Sequence, residues 1–246
     1  MSDPIRIGNT VIQPKHAKRH ETTYEIKNEA SPFLMKSISG ITTATIEAAD
    51  VLTLRDYLKR TRHATELYVA LCLVHDLGLQ LQALLSLGRS IACFGVDDVV
   101  VITHRPSDAF THASINDLDS TLGDSRLDPQ FLFLNDRLIF EVDETDGTLS
   151  MDRSHALKAE SSDAAFLSPE LLEALKTPSP HQRVHFKTAY YSAAQLVVYF
   201  LLNVERIPAD DDAEPEYLRP IKGTSLYWFL LRCLNPVPSQ RKYIYV

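Results

Sequence analysis

Few of the residues in this chain that could do chemistry stand at a spacing that chemistry requires. His181 and His185, four apart, would present two imidazoles to a zinc ion if they lay on a helix. Pro178 and Pro180 just before them point instead to a loop or a helix start, and no third ligand is close in sequence. His75 and Asp76 are neighbours within a long helical pattern, where adjacent side chains diverge, so they form no catalytic dyad on their own. Ser86, Ser168 and Ser192 lack the Gly-x-Ser-x-Gly elbow of a hydrolase. Cys72, Cys93 and Cys233 lie in apolar contexts without paired spacing, which suits small buried hydrophobes in a reducing compartment. The aromatics Tyr190, Tyr191, Tyr199, Tyr227, Trp228 and Phe229 recur at helical spacing among aliphatics, a core pattern rather than a base-stacking platform.

Composition narrows the classes further. With 246 residues, 45% hydrophobic and 23% charged, the chain can bury a core without disulfides or metal. A net charge of −7 argues against a general nucleic-acid binder, which needs a clustered Lys/Arg surplus. The basic run Lys15–His20 and the acidic run Asp210–Glu216 read as solvated loops. No apolar stretch follows Met1, and no run approaches the roughly 18 apolar residues of a membrane span, so a soluble, unprocessed protein is expected.

The elements that must position any site change character along the chain. Up to residue 50, alternating β-formers predict short strands at Ile5–Ile12, Thr22–Ile26, Phe33–Ile38 and Thr42–Ile46. From Asp50 the period becomes helical, with a long central helix carrying Leu67, Leu73, Leu77, Leu81 and Leu84. A second β patch spans Val99–Ile102 and Phe131–Val142, the latter folding back at Asn135-Asp136 as a hairpin. Helices are expected near Pro169–Leu175, Thr188–Leu202 and Thr224–Leu234, and surface loops at 103–129 and 143–163.

The run Gly223–Arg241, an apolar helix ending in Cys-Leu-Asn-Pro-Val-Pro-Ser-Gln-Arg, resembles the last core helix of protein kinases. In that family the terminal Arg pairs with the Glu of an Ala-Pro-Glu motif, and Ser168-Pro169-Glu170 is similar to it. Thr188–Tyr199 resembles the kinase helix that braces the catalytic loop, with Ala189 where its Asp would stand, and Thr45–Lys59 resembles the fifth strand, hinge and following helix. The resemblance covers about residues 22–246 and implies an α+β, protein kinase-like fold. Residues 1–50 would form a reduced N-terminal β lobe and hinge, and residues 51–246 a mainly helical C-terminal lobe.

The same resemblance assigns roles. Lys27 would contact nucleotide phosphates and Glu47 would lie at the nucleotide site; Asp97 or Asp98 would stand at the place of the metal-binding Asn, and Asp98 and Asp143 would hold Mg²⁺ and be the catalytic carboxylates if the protein were active. Glu170 and Arg241 would form a buried structural ion pair. Against activity stand Cys93 or Phe94 at the place of the catalytic Asp, a lone glycine in Ile7-Gly8-Asn9 where a Gly-rich loop belongs, and no room for the helix bearing the Lys-pairing Glu. The bare sheet face around Ile26, Phe33, Met35 and Ile38 would need cover, from Ile5–Ile12 or from a partner.

The expectation is therefore a catalytically inactive kinase-like scaffold that binds other proteins, viral or host, with no cofactor, no nucleic acid and no membrane span. The alternatives are a divergent ATP- and Mg-dependent Ser/Thr kinase and a structural component of a virus particle. Tyr190-Tyr-Ser192, Leu226–Leu234 and the ending Tyr243–Val246 are also similar to the small kinase-like proteins of large nucleocytoplasmic DNA viruses, a resemblance that implies an intracellular location in an infected host, with packaging in virions as a further option.

Overall fold

Val99–Thr103 explains how the chain is layered. All five residues are buried, and because strand side chains alternate between faces, Val99 and Val101 enter one core while Val100 and Ile102 enter another. This strand, β7, lies between β5 (Asp50–Thr53) and β8 (Gln130–Phe133) in an antiparallel sheet that forms the wall between the two cores. The structure, a computed structural model, describes residues 3–17, 21–39, 43–61, 66–104, 129–152, 166–177, 179, 181–205, 207 and 215–243.

On one side of the wall is a four-stranded antiparallel sheet in the order β1 (Ile5–Ile7), β2 (Thr10–Ala17), β3 (Thr22–Lys27), β4 (Thr43–Ala48). Between β3 and β4 runs α1 (Pro32–Ser39). This corrects two expectations: Phe33–Ile38 is helical, not a strand, and a helix is present where none seemed to fit. The cause is local. Asn28 Oδ1 accepts from Ala30 N and Ser31 N, Ser31 Oγ accepts from Leu34 N, and Pro32 supplies a φ already suited to the first turn. The helix carries no acid in its first turn. Its Leu34 and Met35 are fully buried, Met35 against Ile26, Ala44 and Val100. The sheet face around Ile26 and Met35 is thus covered within the chain, by α1 and the wall. Ile5–Ile7 extends the sheet edge-on beside β2 rather than crossing that face. The side chains of Phe33 and Ile38 lie outside the described residues.

On the other side are α2 (Leu54–Thr61), α3 (Leu67–Ser86), α4 (Pro169–Lys176), α5 (Thr188–Leu202) and α6 (Ser225–Cys233). They pack with a second sheet in the order β11 (His181–His185), β10 (Thr148–Asp152), β9 (Ile139–Asp143), β6 (Arg89–Ile91). Phe131–Val142 is not a hairpin, since β8 and β9 belong to different sheets and a 3-10 turn at Asp136–Leu138 carries the chain between them. The stretch expected as a loop from residue 143 contains β10, and residues 105–128 and 153–165 lie outside the described residues.

Helix α3 is long and apolar enough to cross a membrane by length and composition, contrary to the sequence expectation; in the fold it is the central core helix, with Leu73, Val74, Leu77 and Leu84 fully buried. It also closes the free edge of β8. Asp76 Oδ2 accepts from Phe131 N at 2.8 Å, and Gln80 both accepts from Phe133 N at 2.9 Å and donates to Phe133 O at 2.7 Å. One helical turn of side chains therefore takes the place of a neighbouring strand.

Candidate functional site

The loop Ala92–Asp98 joins β6 to β7 and ends at Asp98, which the sequence put forward as a metal ligand. Ile91, Ala92, Cys93, Phe94 and Val96 are all buried. Ala92 N donates to Leu138 O, and the Phe94 ring meets Phe133 edge-on at 5.1 Å. Burial, and then the charge of Asp98, push the Cys93 thiol far above its ordinary pKa, so it stays neutral and a poor nucleophile.

A tight turn sets Asp98. Its N–H donates to Gly95 O at 3.1 Å, and a Cβ on Gly95 would sit 2.9 Å from Asp98 Oδ2, so a side chain there would displace the carboxylate. Asp98 is 6% exposed. Its Oδ1 accepts from Asn135 Nδ2 at 2.6 Å, and its backbone O accepts from Leu134 N at 2.9 Å. Asp98 thus meets Asn135, two residues beyond β8, while Asp143 is held by Thr145 and Arg183.

The β1–β2 turn reaches the same place. Asn9 donates from its backbone N to Asp136 Oδ1 and from Nδ2 to Asp136 Oδ2, both at 2.9 Å. Thr10 Oγ1 donates to Leu134 O at 2.7 Å and accepts from Asn28 Nδ2 at 2.8 Å, with Thr10 and Asn28 both buried. Gly8 makes this approach possible: its φ is +60°, and a Cβ there would fall 2.6 Å from Asp136 Oδ1 and 2.8 Å from Asn135 Oδ1. Asn9, Thr10, Asn135 and Asp136 were not picked out from the sequence. The signal in the sequence is Asn135-Asp136 at the end of an apolar strand, a pair whose types predict a turn.

The other candidates lie apart from this cluster. Lys27 ends β3 on the face opposite the buried Ile26, and its Nζ pairs with Glu25 at 3.1 Å. Glu25 also pairs with Lys15, and the hydrogen bonds from Lys15 and Lys27 lower its pKa. Glu47 is exposed on β4, in register with Thr23 on that same outer face. Asp143 ends β9: its Oδ1 accepts from Thr145 N and Oγ1, and its Oδ2 from Arg183 Nη2 at 2.6 Å. Those contacts, Thr145 first, hold its pKa below the usual carboxylate value. They tie the β9–β10 turn to β11, with Arg183 also reaching Asp146 and Thr148.

His181 and His185 lie on strand β11, where four residues span roughly 13 Å, too far for one ion. Among the described residues no group of three or more His, Cys, Asp or Glu is placed to hold a metal. His75 and Asp76 do touch, Nδ1 to Oδ1 at 3.2 Å, although neighbours on a helix were expected to diverge; Asp76 Oδ2 is bonded to Phe131 N. Beside α2 a cleft of about 230 Å³ lies among Ile5, Ile12, Tyr24, Val51, Asp56 and Arg60. It is smaller than the roughly 300–1,000 Å³ of ordinary ligand pockets.

The Glu170–Arg241 pair lies at the far end of the helical side. Arg241 is fully buried, with Nη1 on Glu170 Oε1 at 2.5 Å and Nη2 on Oε2 at 2.8 Å. Its remaining donors go to Asn235 O, Lys187 O and Pro236 O, so all five guanidinium hydrogens have acceptors. The Tyr191 ring lies 5.0 Å from the guanidinium carbon. Ser168 caps α4, accepting from Leu171 N, and shares a hydrogen bond with Thr188 at the start of α5. Burial, with Lys187 and Arg241 nearby, lowers the pKa of His185, whose Nδ1 accepts from Lys187 N.

Compared with protein-family models and with curated protein sequences, the chain matches none.

Proposed function

We propose that the chain is a kinase-like protein without phosphoryl-transfer activity, which works inside the cell by binding other proteins. The observation that carries this reading is the state of the β6–β7 loop, where a kinase presents the Asp that accepts the substrate proton. Here that stretch is Ala92-Cys93-Phe94, packed into the core, with a thiol that does not ionise near neutral pH.

Several features support the kinase-like part. A strand pair, a third strand, a helix and a fourth strand precede the helical side, and a Pro-Glu motif is anchored by a buried Arg near the end. Kinases hold Mg²⁺ with an Asn after the catalytic loop and an Asp after the next hairpin. In this reading Asp98 and Asn135 stand at those two places with their types exchanged, and they bond to each other. Lys27 on the outer face and an α1 without an acid leave the phosphate-holding ion pair unbuilt.

Thermal unfolding with and without MgATP, together with radiolabel transfer to itself and to a generic Ser/Thr substrate, tests the reading. A ligand of the native state raises Tm by mass action. We expect no MgATP-dependent Tm shift and no label transfer. A shift with transfer would establish the divergent kinase in its place.

A further inference from the structure

We propose that the β1–β2 turn is a latch: Gly8-Asn9, seated on Asn135-Asp136, closes the N-terminal sheet over the β8 turn and releases as a local unit without unfolding the rest of the chain. The contact joins residues more than a hundred positions apart, and it is made of two unequal parts. The outer part is the pair of Asn9 bonds to Asp136, at the protein surface, where water competes for both partners. The inner part is a buried chain of hydrogen bonds. Ser31 N and Ala30 N donate to Asn28 Oδ1, Asn28 Nδ2 donates to Thr10 Oγ1, and Thr10 Oγ1 donates to Leu134 O. Leu134 N in turn donates to Asp98 O. That chain links the start of α1 to the β6–β7 loop through Thr10.

The position of β1 permits local release. It is an edge strand of three residues, paired only with β2, while β2 is held on its other side by the full length of β3. Short edge elements with surface hydrogen bonds open at a small fraction of the global unfolding free energy. When the turn lifts, the polar groups of Asn135 and Asp136 are uncovered. When it is seated, Gly8 leaves no room above Asp136 for even a methyl group. The inference does not depend on the kinase-like reading, and its failure would leave that reading standing.

Hydrogen exchange read by mass spectrometry on the full chain tests it, with two variants that act on different residues. Asp136→Ala removes both acceptors of Asn9; Gly8→Ala forces a Cβ against Asp136 at a positive φ. Each should speed exchange of the Ile5–Val11 amides by about tenfold, equivalent to roughly 1.4 kcal/mol of closing free energy, while Thr188–Leu202 keeps its wild-type protection. Thr10→Val, which cuts the inner chain, should speed exchange in Ile5–Val11 and in the first turn of α1 together. Wild-type exchange of Ile5–Val11 in both turn variants would overturn the latch, as would faster exchange spread evenly over α5. Thr10→Val leaving α1 unchanged would overturn its coupling to the helix.

Discussion

The Glu170–Arg241 brace and the Asp98–Asn135 cluster are both polar, both mostly buried and both assembled from residues distant in sequence, yet they differ in what they meet. At the brace a full charge is matched by a full charge, and every other guanidinium donor finds a backbone carbonyl. At the cluster the carboxylate of Asp98 has the carboxamide of Asn135 among its partners, and the neighbouring carboxylate of Asp136 is taken up by a turn of the same chain. The brace therefore leaves the guanidinium no donor for a water or a ligand. The cluster has been closed from within, by groups that a ligand would have to displace. Retention of one and closure of the other fits a fold kept for its shape.

The comparison breaks most decisively at Glu170. Replacing it with Ala leaves a buried guanidinium with two unmatched donors and no counter-charge, a change that typically costs about 3–5 kcal/mol. Glu170→Gln keeps an acceptor and loses the charge, so its loss should be smaller. Urea unfolding of the three proteins checks the order; a Glu170→Ala variant within about 1 kcal/mol of wild type would show that the brace does not stabilise the fold.

Two Ser-Pro-x-Leu segments show what could be read in the sequence. The sequence pattern predicts a helix start at Ser168-Pro-Glu-Leu171 and a strand at Ser31-Pro-Phe-Leu34, yet both serines cap a helix by accepting from the Leu three residues on. The second was misread because Phe-Leu-Met and Ile38 make an apolar run too short for periodicity to separate helix from strand. Where the pattern is long the reading succeeds: Thr188–Leu202 is helical over that span. The loop bearing Asp98 is legible in the sequence, but its contact with Asn135 is not. Which side chain meets Asp98 depends on β8 leaving the wall sheet at Asn135, and that is a property of sheet membership rather than of local sequence. The placement of Lys27 and Glu47 on the outer face of their sheet was hidden for a related reason: the sequence marks their strands, but which face turns outward follows from where the core lies.

A middle-sized effect is expected at Asp76, which lies on the wall and belongs to neither polar cluster. Burial raises its pKa above the ordinary value, so the ionised form is disfavoured in the folded chain. Its contribution to stability is complete below the unfolded pKa, about 3.9, and declines as pH rises through the higher folded value. Asp76→Asn keeps an acceptor for Phe131 N without the charge, and its stability relative to wild type should therefore improve from pH 4 to pH 7. Asp76→Ala leaves the Phe131 N–H unpaired and should lose about 1–3 kcal/mol. Denaturant titrations at the two pH values check both. An Asn variant that loses ground as pH rises would mean that the carboxylate is better held than its burial implies.

The smallest effect is expected at Lys27, and it sharpens the comparison most cheaply. A lysine that served the cleft would be missed by whatever the cleft binds. A lysine on the outer face of the sheet would, among the described residues, be missed by Glu25, which keeps Lys15 as a second partner. Exposed ion pairs of this kind contribute little, because two long side chains must be ordered in water to make them. Lys27→Ala should therefore leave Tm within about 2 °C of wild type, and the response to MgATP should be the same in both proteins. Asp136→Ala is the natural control, since it acts beside the Asp98–Asn135 cluster and leaves the outer face intact. If Lys27→Ala abolished a MgATP-dependent stabilisation that Asp136→Ala preserved, the outer face of β3 would be the binding surface, and the closed cluster at Asp98 would be a hinge support with no part in recognition.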